Sequence, residues 1–200
     1  MFNDLGEDVR SRILRGAFSA LAEHGTQQTS VENVLAASSV SRRTFYLHFH
    51  GMAGVMAALY TMAMEQMVKE VREAVKAEPN PVRKVVAAID SYVEFQRLGG
   101  PAMIALQADA IRSDSSLTDT RVQTLSALVD IVDKGTQVSL GQTCDPLVYR
   151  SVLMGIEGMV IHLQRDGTFT EAESKRVRSI GISVLLAVLT GVADMPATDK

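Results

Sequence analysis

The stretch Thr29-Ser30-Val31-Glu32-Asn33-Val34-Leu35-Ala36-Ala37-Ser38-Ser39-Val40-Ser41-Arg42-Arg43-Thr44-Phe45-Tyr46-Leu47-His48-Phe49 decides how the chain is read. Thr29 to Glu32 has the Ser/Thr-x-x-Glu form of a capping box, which predicts a helix with Val31, Val34 and Leu35 turned inward. Ser38-Ser39 end it early. Val40 anchors the turn, and Ser41 is placed to cap a second helix running to about Phe49. On that helix Phe45 and Phe49 are one turn apart and point inward, while Tyr46 and His48 fall on the polar side. Helices this short are not stable alone and need a third element to pack on. It lies upstream: from Glu7 to His24, Val9, Ile13, Ala17 and Leu21 recur on one face, with Leu14 and Phe18 beside them. Arg12 and Arg15 lie away from that face. Asp4-x-x-Glu7 reads as its start and Gly25 as its stop.

Downstream the periodicity stays helical. A long helix is predicted from Met52 to Ala77, with Met56, Leu59, Ala63, Met67, Val71 and Ala74 as its apolar stripe, stopped by Pro79-Asn80-Pro81. Pro81 opens the next, which Gly99-Gly100-Pro101 breaks before a further helix to about Arg112. Leu117 to Leu140 is helical. Asp145-Pro146 starts another that ends at Gly167, and Thr170 to Glu173 reads as a capping box for the last. No segment alternates as a strand does. The expected fold is all-α, about nine helices, with a three-helix domain over 1–53 joined to a helical domain over 54–200.

The final helix is apolar on all sides between Ile180 and Ala193, so both faces need burial. One can meet the core; the other calls for a second subunit. The preceding helix sets Ser151, Gly155, Gly158 and His162 along one stripe, where small residues permit close approach. With Val184 and Val188 on the last helix, these form the expected interface of a two-fold homodimer. The alternative is that the two helices form the centre of a monomeric bundle.

Composition narrows the function classes. The chain has 200 residues, 46% of them hydrophobic, enough to bury a core without disulfides, and its single Cys144 could form none internally. Cys144, in a loop before a helix start, reads as an inert surface thiol, with a redox sensor as the alternative. The uncharged runs His50–Met64 and Ser179–Ala193 are too short to span a membrane, and the first residues lack a signal peptide's basic and apolar regions. A soluble, cytoplasmic protein is expected. Net charge of −3 argues against a nucleic-acid partner only as an average. No Asp or Glu lies between Glu32 and Glu65, whereas Arg42, Arg43, His48 and His50 do. The acids are missing from the same window that carries the two short helices.

That window resembles the helix-turn-helix of TetR-type (TetR/AcrR) transcriptional regulators, above all in Val40-Ser41-x-x-Thr44-Phe45-Tyr46-x-His48-Phe49. Length, the N-terminal position of the motif and two apolar C-terminal helices agree with that family. The resemblance implies a regulator of double-stranded operator DNA, in most members a repressor released when a small-molecule effector fills a cavity in the C-terminal helices. A recognition helix presents its N-terminal side chains to base edges in the major groove, here Ser41, Arg42, Arg43 and Thr44. Arginine is the commonest reader of guanine, through O6 and N7. The resemblance further implies phosphate contacts from Thr44, Tyr46 and His48, and from Thr29 or Ser30. The sequence departs from the family in two places. Ser39 stands where the turn usually has Gly, and Met52 where a phosphate-binding Lys is frequent.

Candidate effector contacts are Tyr92, Phe95, Met103, Gln107, Met159 and His162. Methionine-rich walls would suit an apolar effector of otherwise unknown identity. No Gly-x-Ser-x-Gly, phosphate-binding loop or His-Glu-x-x-His occurs, and His48 and His50 do not face each other on a helix. No enzyme activity, cofactor or metal is therefore expected. The alternative is a helical small-molecule-binding protein or enzyme that has kept a vestigial DNA reader.

Overall fold

The structure, a computed structural model, describes residues 6–140, 145–167 and 169–191. Eight helices account for nearly all of these: α1 Val9–Gln28, α2 Val31–Ser38, α3 Arg42–His48, α4 Met52–Ala77, α5 Pro81–Ala110, α6 Thr118–Leu140, α7 Pro146–Arg165 and α8 Glu171–Gly191. No strand occurs among the described residues. Two of the helices are broken inside by glycine. Gly25 in α1 has φ 70°, and Gly100 in α5 has φ 59° with Pro101 after it. The helix stops expected at both places are thus real, and each is followed at once by more helix. Cys144 and its loop lie outside the described residues.

The chain divides into two compact units. The first comprises 1–66 and 96–124, the second 67–95 and 125–200. The expected boundary at 53/54 therefore falls inside the first unit, and α4, α5 and α6 each belong partly to both.

In the first unit, α1 packs on α2 through a fully buried face of Ile13, Leu14, Ala17 and Leu21 against a core that includes Val34 and Phe45. Gly16 sits at the closest approach. A β-carbon there would lie 2.8 Å from both the Ser38 amide nitrogen and its Cβ. The caps differ in detail from the sequence reading. The N-cap of α1 is Asp8, which accepts from the Ser11 amide at 3.0 Å, not a residue of the Asp4–Glu7 pair. The box opening α2 is one residue later than Thr29–Glu32: Ser30 Oγ accepts from Asn33 N and Asn33 Oδ1 accepts from Ser30 N. Thr29 closes α1 instead, its amide and hydroxyl both donating to the Gly25 carbonyl. Asparagine reaches back to the cap as glutamate would, so a search for Ser/Thr-x-x-Glu settles on the wrong register.

The second unit buries Met67 and Val71 of α4, Val85, Ile89 and Tyr92 of α5, and Leu128 of α6. Tyr149, Ile156 and Val160 of α7 and Val177 and Leu185 of α8 complete its core. Helix α7 opens on Asp145, whose carboxylate accepts from the Leu147 amide, with Pro146 as its first residue. Thr170 caps α8 through the Glu173 amide. Helices α7 and α8 pack together where Gly181 admits Ile156, whose Cδ1 would lie 2.6 Å from any β-carbon added at 181. Arg178 of α8 is paired with Glu94 of α5 in a half-buried contact.

Candidate nucleic-acid interface

The turn between α2 and α3 sets the direction of α3. Ser39 adopts φ 53° and ψ 39°, the left-handed conformation usually given to glycine. Two contacts hold the turn. Ser38 Oγ donates to the Val34 carbonyl at 2.6 Å. Arg12 of α1 reaches across, its guanidinium donating to the carbonyls of Ser38 and Ser39 at 3.2 and 3.1 Å. These carbonyls end α2, where a cation is also favoured by the helix dipole. Sequence reasoning left Arg12 as a surface residue because its partners are distant along the chain.

Helix α3 starts at Ser41, whose Oγ accepts from the Thr44 amide at 3.1 Å and lies 2.8 Å from the Thr44 hydroxyl. Phe45 is fully buried and Phe49 nearly so; they pack ring to ring at 6.1 Å, with Arg10 of α1 over the Phe49 ring at 5.3 Å. Tyr46 stands edge-on to Phe45 and is 47% exposed. With the aromatic pair fixed inward, Ser41, Arg42, Arg43, Tyr46, Leu47 and His48 are left at the surface.

Seven of the eight expected DNA contacts are thus exposed or half-buried in the first unit, Ser30 and Thr44 among the latter. Thr29 differs: it is buried, with its hydroxyl turned to the backbone of α1, donating to Gly25 O and lying within bonding distance of Ala20 O. Arg42 is not idle in the unbound chain. Its guanidinium bonds the carboxylate of Glu32 on α2, both side chains being about three-fifths exposed. Glu32's carboxyl is held below its ordinary range, first by its own backbone amide and then by Arg42. Arg43 makes no such contact among the described residues. The Glu32–Arg42 pair joins two helices across a turn, a relation with no signature in linear spacing.

The six expected effector contacts do not gather in one place. Tyr92 lines a narrow apolar cavity of the second unit with Val71, Ile89, Leu128, Leu153 and Leu185. Phe95 is buried in the same unit, whereas Met103 and Gln107 are buried in the first. Met159 lines an open groove along α7 and α8, and His162 is 67% exposed beside Asp166 at 3.5 Å. That groove also holds Ser151, Gly155, Ile180 and Val184, so the small-residue stripe of α7 faces outward. Nothing lies within 4 Å of a β-carbon added at Gly155 or Gly158. No helix among the described residues is long and apolar enough to cross a membrane, and none of their His, Cys, Asp and Glu side chains cluster as metal ligands would.

Residues 13–59 match the family model of the bacterial regulatory proteins, tetR family. No curated protein sequence matches the chain at a significant level. Among solved structures it is similar to the fatty acid degradation regulator FadR from Bacillus halodurans, at TM-score 0.75 and 17% identity over 94% of this chain and 97% of that one. It is also similar to FadR from Bacillus subtilis, solved in complex with stearoyl-CoA (TM-score 0.72, 18% identity, 90% and 97% covered). A third likeness is to the TetR family regulator PfmR from Thermus thermophilus (TM-score 0.65, 19% identity, 90% and 95% covered). At these identities the likeness establishes a shared fold along nearly the whole chain.

Proposed function

We propose that this chain, a transcriptional regulator of the tetR family, works in the cytoplasm as a homodimeric repressor that leaves its operator when an apolar small molecule fills its C-terminal helices. The observation that carries the DNA reading is the surface of α3. It is built on a buried Phe45–Phe49 pair and presents Arg42, Arg43, Tyr46 and His48 in a stretch with no acid between Glu32 and Glu65. Residues 1–53 supply the reader and 54–200 the effector and dimer functions. Ser41, Arg43 and Thr44 face base edges, Arg42 is turned toward α2 by Glu32, and Ser30, Thr44, Tyr46 and His48 take phosphates. Thr29 drops out of the phosphate set, because its amide and its hydroxyl both donate to the Gly25 carbonyl.

Support for a second subunit comes from the exposed apolar groove of α7 and α8, where Val184 is 46% and Ile180 40% exposed in the single chain. Pairing that groove with its own copy buries Ser151, Gly155, Gly158, Val184 and Val188. Two recognition helices then have to stand roughly 34–36 Å apart to reach successive major grooves. For the effector, an apolar molecule suits the largely aliphatic lining of the Tyr92 cavity, which is only about 20 Å³ and has to widen to take a long acyl chain such as that of the stearoyl-CoA bound to a relative of the same fold. Effector binding acts by differential affinity for the DNA-competent and DNA-incompetent arrangements, carried along the continuous helix α4.

The test is a gel shift on DNA flanking the chain's own gene, with and without stearoyl-CoA. A shifted band that disappears on titrating the acyl-CoA is the expected result. No retarded band at low salt removes the DNA reading. A band unmoved by an acyl-CoA that raises the protein's Tm removes the switch.

A further inference from the structure

The outward face of α3 carries one side chain that electrostatics does not explain. Leu47 is 75% exposed, the most exposed large hydrophobic side chain among the described residues. Isolated exposed leucines are common and need no reason. This one has a particular place. Counting from the buried Phe45 at 3.6 residues per turn, Arg43 lies about 160° and Leu47 about 200° around the helix axis. These two therefore form the apex directly opposite the core, one above the other at i,i+4. Arg42 lies only about 60° from Phe45 by the same count, and Glu32 holds its guanidinium toward α2.

We infer that α3 reads its operator through Arg43 and Leu47, with Arg42 held aside by Glu32. Arg43 donates two N–H groups to O6 and N7 of a guanine. Leu47 packs on the C5 methyl of a thymine, the one apolar group that a base pair presents in the major groove. One helical turn rises about 5.4 Å and base pairs are stacked about 3.4 Å apart, so the guanine and thymine fall one or two base pairs from each other. Leu47 is thereby a specificity-determining residue. An apolar side chain there rejects cytosine, which has no methyl, where a polar one would not. The inference rests on the DNA-binding reading above.

The experiment selects operator sequences from a random duplex pool with the full-length protein. It then replaces each thymine by uracil, which lacks only the methyl, and each guanine by 7-deazaguanine, which lacks the N7 acceptor. In one half-site, a single uracil should weaken wild-type binding about fourfold, the worth of one buried methyl group. The same uracil should leave Leu47→Ala unaffected. A 7-deazaguanine one or two base pairs away should weaken wild type but not Arg43→Ala, while Arg42→Ala keeps both sensitivities. Leu47 is exposed, so its replacement leaves the fold intact, and circular dichroism checks this. An enriched operator at which Leu47→Ala keeps the wild-type uracil sensitivity, or at which no thymine methyl matters, overturns the inference alone. A pool with no enrichment overturns the DNA-binding reading and this inference with it.

Discussion

At Ser39 a residue with a β-carbon occupies a left-handed conformation that costs an L-residue about 1–2 kcal/mol. Replacing it by glycine removes that cost and adds about 0.5–1 kcal/mol of chain entropy lost on folding. Ser39→Gly should therefore stabilise the first unit, by about 0.5–1 kcal/mol net, read as a raised denaturant midpoint with an unchanged slope. The strain is tolerated because Arg12 over-determines the turn, bonding the carbonyls of both Ser38 and Ser39. The left-handed turn was legible in the sequence because a family pattern marks it. Its brace was not, because Arg12 and Ser38 are remote along the chain and meet only through the packing of α1 on α2.

Among elements, α1 and α2 approach closely in the first unit. Gly16 faces the backbone of Ser38 there, and backbone cannot swing away as the end of a side chain can. Gly16→Ala should cost about 1–3 kcal/mol through overpacking and weaken DNA binding with it, because the displaced turn aims α3. Thermal unfolding and a gel shift on the same preparation check both. The equivalent change at Gly181 meets the flexible tip of Ile156 and should cost less. Helix positions and most of the inward face of α1 could be read from periodicity alone, since burial follows the 3.6-residue repeat; the expected stripe of α4 is buried at Leu59, Ala63, Met67 and Val71, but at its ends Val55 and Val75 are buried while Met56 and Ala74 are only half so. The caps were harder. Asp8 and the Ser30–Asn33 box each lie within a few residues of the expected cap, where several polar side chains compete for the same amides. Candidate effector residues were the least legible. Apolar residues on a helix face are buried whether they line a cavity or fill a core, and Met103 and Tyr92 prove to belong to different units.

For the whole molecule, the proposed homodimer makes the exposed groove on α7 and α8 the surface to test. Val184→Glu places a charge on a surface that is 46% exposed in the single chain, so the subunit fold should survive. Sedimentation velocity should then report a monomer where wild type gives a dimer. Operator affinity should fall steeply, since each lone reader has few basic residues and no broad basic surface. A variant that stays dimeric would move the interface elsewhere. The division of the chain also has a practical side. The first unit is discontinuous: the chain leaves it within α4, returns within α5 and leaves again within α6. A chimaeric regulator made by joining residues 1–53 or 1–66 to a foreign C-terminal half would thus arrive without residues 96–124. Transplanting the reader together with its own supporting helices takes two segments and three splice points, each inside a helix. Grafts of α3 side chains alone avoid all three.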